Sequence, residues 1–574
     1  MAAMRTPGLL DPARRRASLA ALAAGQLDLL VVGGGITGAG VALDAAARGL
    51  SVGLLERADL ASGASSKSSK LIHGGLRYLE MGDLGLVREG LRERELLLTR
   101  LAPHLVSPVP FLWPLRHRVW ERLYLGAGLV LYDTLGGARS VPRHRHLSRR
   151  GALATAPALS GEGITGAVQF HDAAEDDARM VVAVARTAAS FGAHVVTRAR
   201  VTRLLRAGDR VTGAEVCDGE SGQTLALAAR HVLLAAGVWT DELRAGVRAP
   251  FATTMRPSKG IHITVARERI PMSTGVLART EKSVLFIIPT DAGWLIGDTD
   301  TPWTHGPDDP VASGADIDYL LAKANALLAR PLTRADVLGV FAGLRPLVGA
   351  AGATDTTRLS RRHVVEAPVP GLTTIAGGKY TTYRAMAADA VDGAAREFPG
   401  LAASSTARIP LCGAERYAEV RAQCAGHAAT LGIDPAGVAR LLHRYGDRVE
   451  ELLALCAERE ELRRPLSGAP AHLAAEVVHA CTHEGALHLE DVLERRTRLA
   501  ITRADRAVGV AGEVAALMAS ALGWSEERRA EELAAFARRV AAARAGEAEP
   551  DDARALAAYR SVLAGGQMPA GVRR

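Results

Sequence analysis

A continuous apolar run, Asp28-Leu29-Leu30-Val31-Val32, leads straight into Gly33-x-Gly35-x-x-Gly38, and these eleven residues narrow the fold more than any other stretch of the chain. The run reads as a buried parallel strand, Ile36 to Arg48 as a helix, and Ser51-Val52-Gly53-Leu54-Leu55 as the next strand. Each glycine has a task in such a βαβ unit. Gly33 permits the tight turn, Gly35 lets backbone approach a pyrophosphate, and Gly38 lets helix and strand pack closely. The helix start at Ile36 and Thr37 offers unpaired N–H groups to the anion. Glu56 ends the second strand, 18 residues after Gly38, where its carboxylate accepts hydrogen bonds from ribose hydroxyls and disfavours a 2′-phosphate. The unit predicts an α/β domain that binds a dinucleotide.

The glycine fingerprint serves NAD and FAD alike, and the next segment separates them. Where an NAD domain places an ordinary crossover, this chain has Ala61-Ser62-Gly63-Ala64-Ser65-Ser66-Lys67-Ser68-Ser69-Lys70. Small hydroxyl residues and glycines let backbone and Oγ groups wrap a second phosphate and a ribityl chain, although alone such a stretch also suits a flexible linker. Leu71-Ile72-His73-Gly74-Gly75-Leu76-Arg77-Tyr78-Leu79 continues it with side chains fit for chemistry.

With LLVVGGGITGAG, SSKLIHGGLRYLE, GIHITV after Ser258-Lys259, FAGLRPL and AGGKYTTYR spread over residues 28–384, the sequence resembles the FAD-dependent glycerol-3-phosphate dehydrogenases among the D-amino-acid-oxidase-like flavoproteins. HEGALHLEDVLERRTRL resembles the helical C-terminal domain of that family. The resemblance implies FAD, held non-covalently because no cysteine lies in these motifs. It also implies sn-glycerol 3-phosphate as substrate, oxidised at C2 to dihydroxyacetone phosphate, with the electrons passed to a quinone. The implied cofactor set is Gly33, Gly35, Ile36, Thr37, Gly38, Glu56, Arg57, Ser65, Ser66, Ser68, Ser69, Lys70, Leu71, His73, Val201, Ala236, Gly237, Gly378, Lys379, Thr381 and Thr382.

Oxidising a secondary alcohol on a flavin needs an anchor for the phosphate, an acceptor for the hydroxyl proton, and the C2 hydrogen aimed at the flavin. A phosphate monoester carries about −1.5 to −2 charge at neutral pH and asks for more than one cation, arginine for preference. Arg345, Arg361, Arg77 and Lys259 are the candidates. Arg345 sits in apolar Gly343-Leu344-Arg345-Pro346, where a charge is costly without an anion or a partner carboxylate, and the resemblance places it at the substrate. Arg361 lies in the basic run Ser360-Arg361-Arg362-His363, where Arg362 competes for the same role. His73 and His262 are the candidate bases, each also readable as a structural histidine. Tyr78 and Lys379 are expected to orient substrate oxygens or to steady charge on the reduced flavin. Leu233-Leu234-Ala235-Ala236-Gly237 ends a strand with small residues, as close passage beside a cofactor requires. Gly377-Gly378-Lys379-Tyr380-Thr381-Thr382 leads from strand to helix, with Thr381 or Thr382 expected as a cap that turns the helix's positive end to the flavin.

The expected architecture is a Rossmann-like FAD-binding domain (28–100, 166–248 and 338–405), an inserted α+β substrate domain (101–165 and 249–337) and an all-helical C-terminal domain (406–574), after an N-terminal extension over 1–27. Ala193–Val196, His231–Ala235 and Leu372–Ala376 are expected to return to the first sheet. A chain of 574 residues exceeds what one core serves. Its formal charge of +8 suits a phosphorylated substrate or an acidic surface, although pervasive arginine also raises it. Arg14-Arg15-Arg16 followed by ASLAALAAGQL imitates a signal peptide but merges into the first strand. No uncharged apolar run reaches the ~20 residues of a spanning helix. Five scattered cysteines without a CxxC pair fit a reducing cytoplasm. Arg116 to Tyr124, followed by the apolar run Leu125 to Tyr132, has the composition of a segment resting on anionic headgroups at the inner face of the cell membrane and guiding a quinone to the flavin. A buried helix with a basic side is its other reading. His479 and His483 share a helix face while Cys481 points away, so no metal is expected there, His472 and His488 notwithstanding. No nucleic-acid partner is expected, and a homodimer stays open. Competing activities are an oxidase that reduces oxygen, an amine or amino-acid oxidase of the same fold, and a flavin-binding partner protein that turns nothing over.

Overall fold

A computed structural model of the chain describes residues 8–76, 79, 82–136, 140–247, 249–281, 284–350 and 362–565. The opening strand Gln26–Val32 pairs in parallel with Val52–Leu55 on one side and Thr224–Leu234 on the other. His194–Val196 and Leu372–Gly377 extend this parallel core outward. Antiparallel strands His363–Val369, Ala199–Ala207 and Arg210–Asp218 complete an eight-stranded sheet among the described residues. Its central strands carry unbroken apolar runs, Leu29–Val32, Val52–Leu55 and Val232–Leu234, because both faces are covered there. Leu29, Val31, Leu54 and Leu233 pack under the helices Ile36–Ala47, Asp177–Ser190 and Tyr383–Ala394.

The opposite face buries Leu30, Val32, Leu55 and Val232 with Leu19 and Leu22 of the helix Pro12–Ala24. Asp11 caps that helix through Arg14 N at 2.7 Å, and Arg15 is buried against Asp218. The segment that imitates a signal peptide is thus an amphipathic helix with Arg14 and Arg16 on its wet side, and residues 12–27 are part of the first domain's core rather than an extension to it.

A second, mixed sheet, of ten strands among the described residues, stands beside the first. Three of its members differ from the expected boundaries. Gly166–Glu175 lies antiparallel to Val106–Leu115, and Val337–Arg345 lies antiparallel to Ser258–Val265, so both belong to the substrate-side sheet. Apolar patterning marks a strand without naming its hydrogen-bond partner, so spacing alone does not assign these strands to a sheet. Leu71–Ile72 also joins this sheet, at its edge, through Gly166–Glu175. Ile261, Ile263, Ile287 and Trp294 form the sheet's closed face with the helix Gly314–Asn325. The C-terminal region from Tyr417 to Leu563 is helical apart from a short hairpin, Pro465–Leu466 with Ala469–Leu473. Among the described residues no helix is long and apolar enough to cross a membrane.

Candidate active site

A cavity of about 1140 Å³ runs between the two sheets, larger than the roughly 300–1,000 Å³ of ordinary small-molecule pockets. One end is built by the glycine turn. Gly33 has φ 114°, and a Cβ there would stand 2.5 Å from Ala235 O. A Cβ on Gly38 would lie 1.8 Å from Gly33 O, so the third glycine serves helix–strand packing and does not border the cavity. Gly35, Ile36 and Thr37 do border it. Their helix has neither a side-chain cap nor an acid in its first turn, which leaves its positive end for an anion. Ser65 Oγ accepts from Ile36 N at 3.0 Å and so ties the serine loop to that helix start. Glu56 accepts from Gly34 N at 2.6 Å and Ala58 N at 2.8 Å. Burial raises its carboxyl pKa, with those backbone donors acting in opposition.

Of the remaining residues expected at the cofactor, Arg57, Ser68, Ser69, Leu71, His73, Val201, Ala236, Gly237, Gly378, Lys379 and Thr381 line the cavity with Ser65 and Glu56. Ser66, Lys70 and Thr382 do not. Ser66 is buried, and Lys70 turns away in a left-handed conformation, φ 56°, to meet Asp177 at 2.9 Å. Neither threonine caps the helix Tyr383–Ala394, which starts without a side-chain cap. Thr381 Oγ1 accepts from His73 N at 3.1 Å, and Thr382 Oγ1 donates to Lys379 O at 3.4 Å.

The other end is made by two paired strands. Their register sets Ser258 opposite Arg345, Gly260 opposite Gly343, and His262 opposite Phe341. Side chains alternate along a strand, so Gly260 and His262 face the cavity while Lys259 and Ile261 face away. Lys259 is therefore placed elsewhere than expected: it is fully buried, 2.6 Å from Asp316, paired also with Asp552, and outside the cavity. Glycines make room for the functional side chains. A Cβ on Gly260 would lie 2.7 Å from Arg345 Nη2, and one on Gly297 2.2 Å from His262 Cδ2.

Arg345 both borders the cavity and carries partner carboxylates. Its guanidinium is paired with Asp298, reaches Asp300 at 3.3 Å, and donates to Thr299 O at 2.7 Å. His262 Nε2 lies 2.8 Å from Ser69 Oγ, its ring stacks on Phe341 at 5.0 Å, and its buried Nδ1 has no hydrogen-bond partner. Burial lowers the His262 pKa to about 4, against the pull of nearby Asp298, so the ring is neutral at physiological pH. Arg77, Tyr78 and Arg361 lie outside the described residues. Arg362 is exposed and meets Asp83, itself at the cavity, at 2.8 Å.

Two features went unread in the sequence. Lys67 lines the cavity, fitted against Gly343, where a Cβ would come 2.6 Å from its own, and 3.7 Å from Glu494. The SSKSSK repeat offers two lysines, and the expected cofactor set names Lys70 alone of the two. The cavity also has an apolar arm formed by Leu71, Leu86, Phe111, Trp113, Leu125, Phe170 and Phe286. Leu125 comes from the helix Trp120–Gly136, whose outer side exposes Trp120, Leu123, Tyr124 and Val130. Elsewhere, among the described residues, Glu451, His479 and His483 bring ligand-type atoms within 4.8 Å of one another, while Cys481 is buried outside the group. Arg186 already forks onto Glu451, at 2.9 and 3.2 Å, and supplies the positive charge there.

The sequence model of the FAD-dependent oxidoreductase family matches residues 28–384, and that of the C-terminal domain of alpha-glycerophosphate oxidase matches residues 404–529. The chain is 49% identical over 544 residues, 95% of its length, to glycerol-3-phosphate dehydrogenase 2 of Mycobacterium tuberculosis, of which 93% is covered. It is 36% identical to the mitochondrial glycerol-3-phosphate dehydrogenase of Mus musculus, with 91% of this chain and 74% of that protein covered. Among solved structures it is similar to glycerol-3-phosphate dehydrogenase from Bacillus halodurans complexed with FAD, with a TM-score of 0.78 and 29% identity over 93% of this chain and 98% of that one.

Proposed function

The chain belongs to the FAD-dependent glycerol-3-phosphate dehydrogenase family, and from that membership we propose how its own residues divide the reaction. It is a flavoenzyme that oxidises glycerol 3-phosphate to dihydroxyacetone phosphate. Bound FAD supplies the acceptor for the hydride that leaves C2. The helix start behind Ile36, whose own N–H Ser65 Oγ takes, and the turn Gly33 to Gly35 would hold the pyrophosphate, and Glu56 would hold the ribose. Ser65, Ser68 and Ser69 wrap the next part of the cofactor, while Ala236, Gly237, Gly378 and Thr381 form the close wall along it.

Arg345 anchors the substrate phosphate. Asp298 and Asp300 hold its fork in one orientation, so the N–H groups are preset before substrate arrives. Because those two acids outnumber its single charge, further cations are needed, and Lys379, which lines the same cavity, supplies one of them. Arg77 and Arg361 are further cations and Tyr78 a further orienting group in this reading. His262 accepts the hydroxyl proton: it is neutral, and Ser69 and Phe341 fix its ring. His73, whose main chain is tied to Thr381, is the second candidate for the base. The observation that carries the assignment is that Arg345 and His262 come from paired strands and line one cavity.

The electrons go to a quinone. The apolar arm supports this, since it reaches Leu125 on a helix whose outer row of Trp120, Leu123, Tyr124 and Val130 suits the surface of an anionic membrane, with Arg116, Arg118 and Arg122 beside it. Anaerobic addition of glycerol 3-phosphate to the yellow holoprotein is expected to bleach it. Reoxidation by a short-chain quinone faster than by oxygen supports the acceptor, and peroxide as the main product sinks it.

A further inference from the structure

One of the contacts between the C-terminal domain and the first two stands directly behind the serine loop. After the short helical segment Asp491–Arg496 the chain turns through Arg498, which has φ 66°, a left-handed conformation rare for a side chain of this size. Its guanidinium donates to Ser66 O at 3.3 Å, meets Asp176 at 2.9 Å, and pairs with fully buried Asp177. Asp177 passes the constraint on. One oxygen accepts from Ser68 N at 3.1 Å and Ser68 Oγ at 2.7 Å, and the other meets Lys70 Nζ at 2.9 Å. Lys70 is itself left-handed, φ 56°, so two strained backbones converge on one carboxylate.

Between Ser68 and Lys70 stands Ser69, whose hydroxyl is 2.8 Å from His262. Three residues beyond Arg498, Ile501 O accepts from Thr264 Oγ1, on the strand that bears His262. One turn before it, Glu494 lies 3.7 Å from Lys67. The serine loop and the histidine strand are thus gripped from behind by the same short C-terminal segment.

Resting on the assignment of the serine loop to the flavin, we infer that Arg498 is a positioning residue: through Asp177 it fixes Ser68 and Ser69, and with them the orientation of His262 against the reacting alcohol. The C-terminal domain then serves the chemistry by setting this loop, without touching substrate or cofactor. Lysine cannot replace the arginine, because a single ammonium group cannot reach Asp176, Asp177 and Ser66 O together in one plane.

The test uses full-length holoprotein carrying Arg498→Lys, mixed anaerobically with glycerol 3-phosphate in stopped flow. Expected is a limiting rate of flavin reduction at least about tenfold lower, the scale of a small misplacement at a reacting centre. FAD is expected to stay stoichiometric, and half-saturation to move by less than about twofold. A limiting rate within about twofold of wild type overturns the inference, and so does a loss that merely tracks lost FAD. Should Arg498→Lys not accumulate folded, Asp176→Asn decides: it removes a charge that holds Arg498 and Arg444, keeps an oxygen for Arg179 N, and leaves Asp177 and the serine loop unsubstituted, so slowed reduction with FAD bound supports the inference and an unchanged rate refutes it. A wild-type protein that glycerol 3-phosphate fails to reduce counts against the proposed function. In that event the visible band of bound FAD still reads Arg498: a shape altered by the substitution supports the inference, and an identical one overturns it.

Discussion

Lys259→Met separates stability from substrate binding at a residue whose sequence context suggested the latter. The ammonium group is fully buried between Asp316 and Asp552, which are 10% and 22% exposed. Removing it leaves two carboxylates facing each other with little water, and breaking a buried pair in this way costs about 3–5 kcal/mol. Asp552 recovers some hydration, so the lower end of that range applies. For a unit of a few hundred residues this lowers the unfolding midpoint by on the order of 10 °C. Differential scanning fluorimetry of the holoprotein reads it, alongside KM for glycerol 3-phosphate. A triple variant, Lys259→Met with Asp316→Asn and Asp552→Asn, is expected to regain most of the loss. No net charge remains buried in it, and the side-chain amide introduced by Asp316→Asn keeps an oxygen to accept from Ser313 N, a contact the carboxylate now makes at 2.9 Å. The reasoning is refuted if Lys259→Met leaves the midpoint unchanged and raises KM sharply, for that is the behaviour of a substrate ligand.

Three other outcomes follow from the same structure. Because burial lowers His262 to about 4, it stays a neutral base above that pH, and flavin reduction is expected to fall only near pH 4; an inflection near 6.5 that disappears in His262→Asn contradicts this. Burial disfavours a charged His488, but hydrogen bonds to Glu220 at 2.9 Å and Glu532 at 2.8 Å prevail and raise it to about 9. A raised folded pKa contributes stability that is full below about 6.5 and lost as pH rises through about 9, so His488→Gln should lower the melting point at pH 6 and not at pH 10, and an equal loss at both is the contrary result. Trp120→Asp with Leu123→Asp removes side chains that are 59% and 69% exposed, and should cut sedimentation with anionic vesicles at least about tenfold while anaerobic flavin reduction continues; undiminished binding rules out this helix as the contact.

How far the site could be read in advance depended on the range of the interaction. Gly33 and Gly38 act on neighbours within one βαβ unit, and their tasks in the turn follow from spacing alone. The facing of Lys259 was also local information: it stands three residues from His262 on a strand, and an odd separation puts the two on opposite faces. The surrounding motif points Lys259 to the substrate, and the alternation of the strand overrules it. Arg345 illustrates the other limit. Its acid partners lie 45 and 47 residues upstream and come within reach only through strand pairing that no periodicity encodes. The role of Arg498 is harder still, because its contact with Asp177 spans 321 residues and two domains. Closing the serine run gives Lys70 the look of a cofactor ligand, whereas its left-handed backbone turns it to Asp177.

The central claim, that Arg345 receives the substrate's phosphate inside the cavity that also holds His262, is tested most directly by comparing two substrates in Arg345→Ala. Anaerobic flavin reduction by glycerol 3-phosphate is expected to lose at least about a hundredfold in efficiency, the scale of losing one partner of a buried charge-assisted contact. The slow reduction by concentrated glycerol, which has no phosphate, should change little, with FAD still bound. Equal losses for both substrates, or an undiminished rate with glycerol 3-phosphate, contradict the claim.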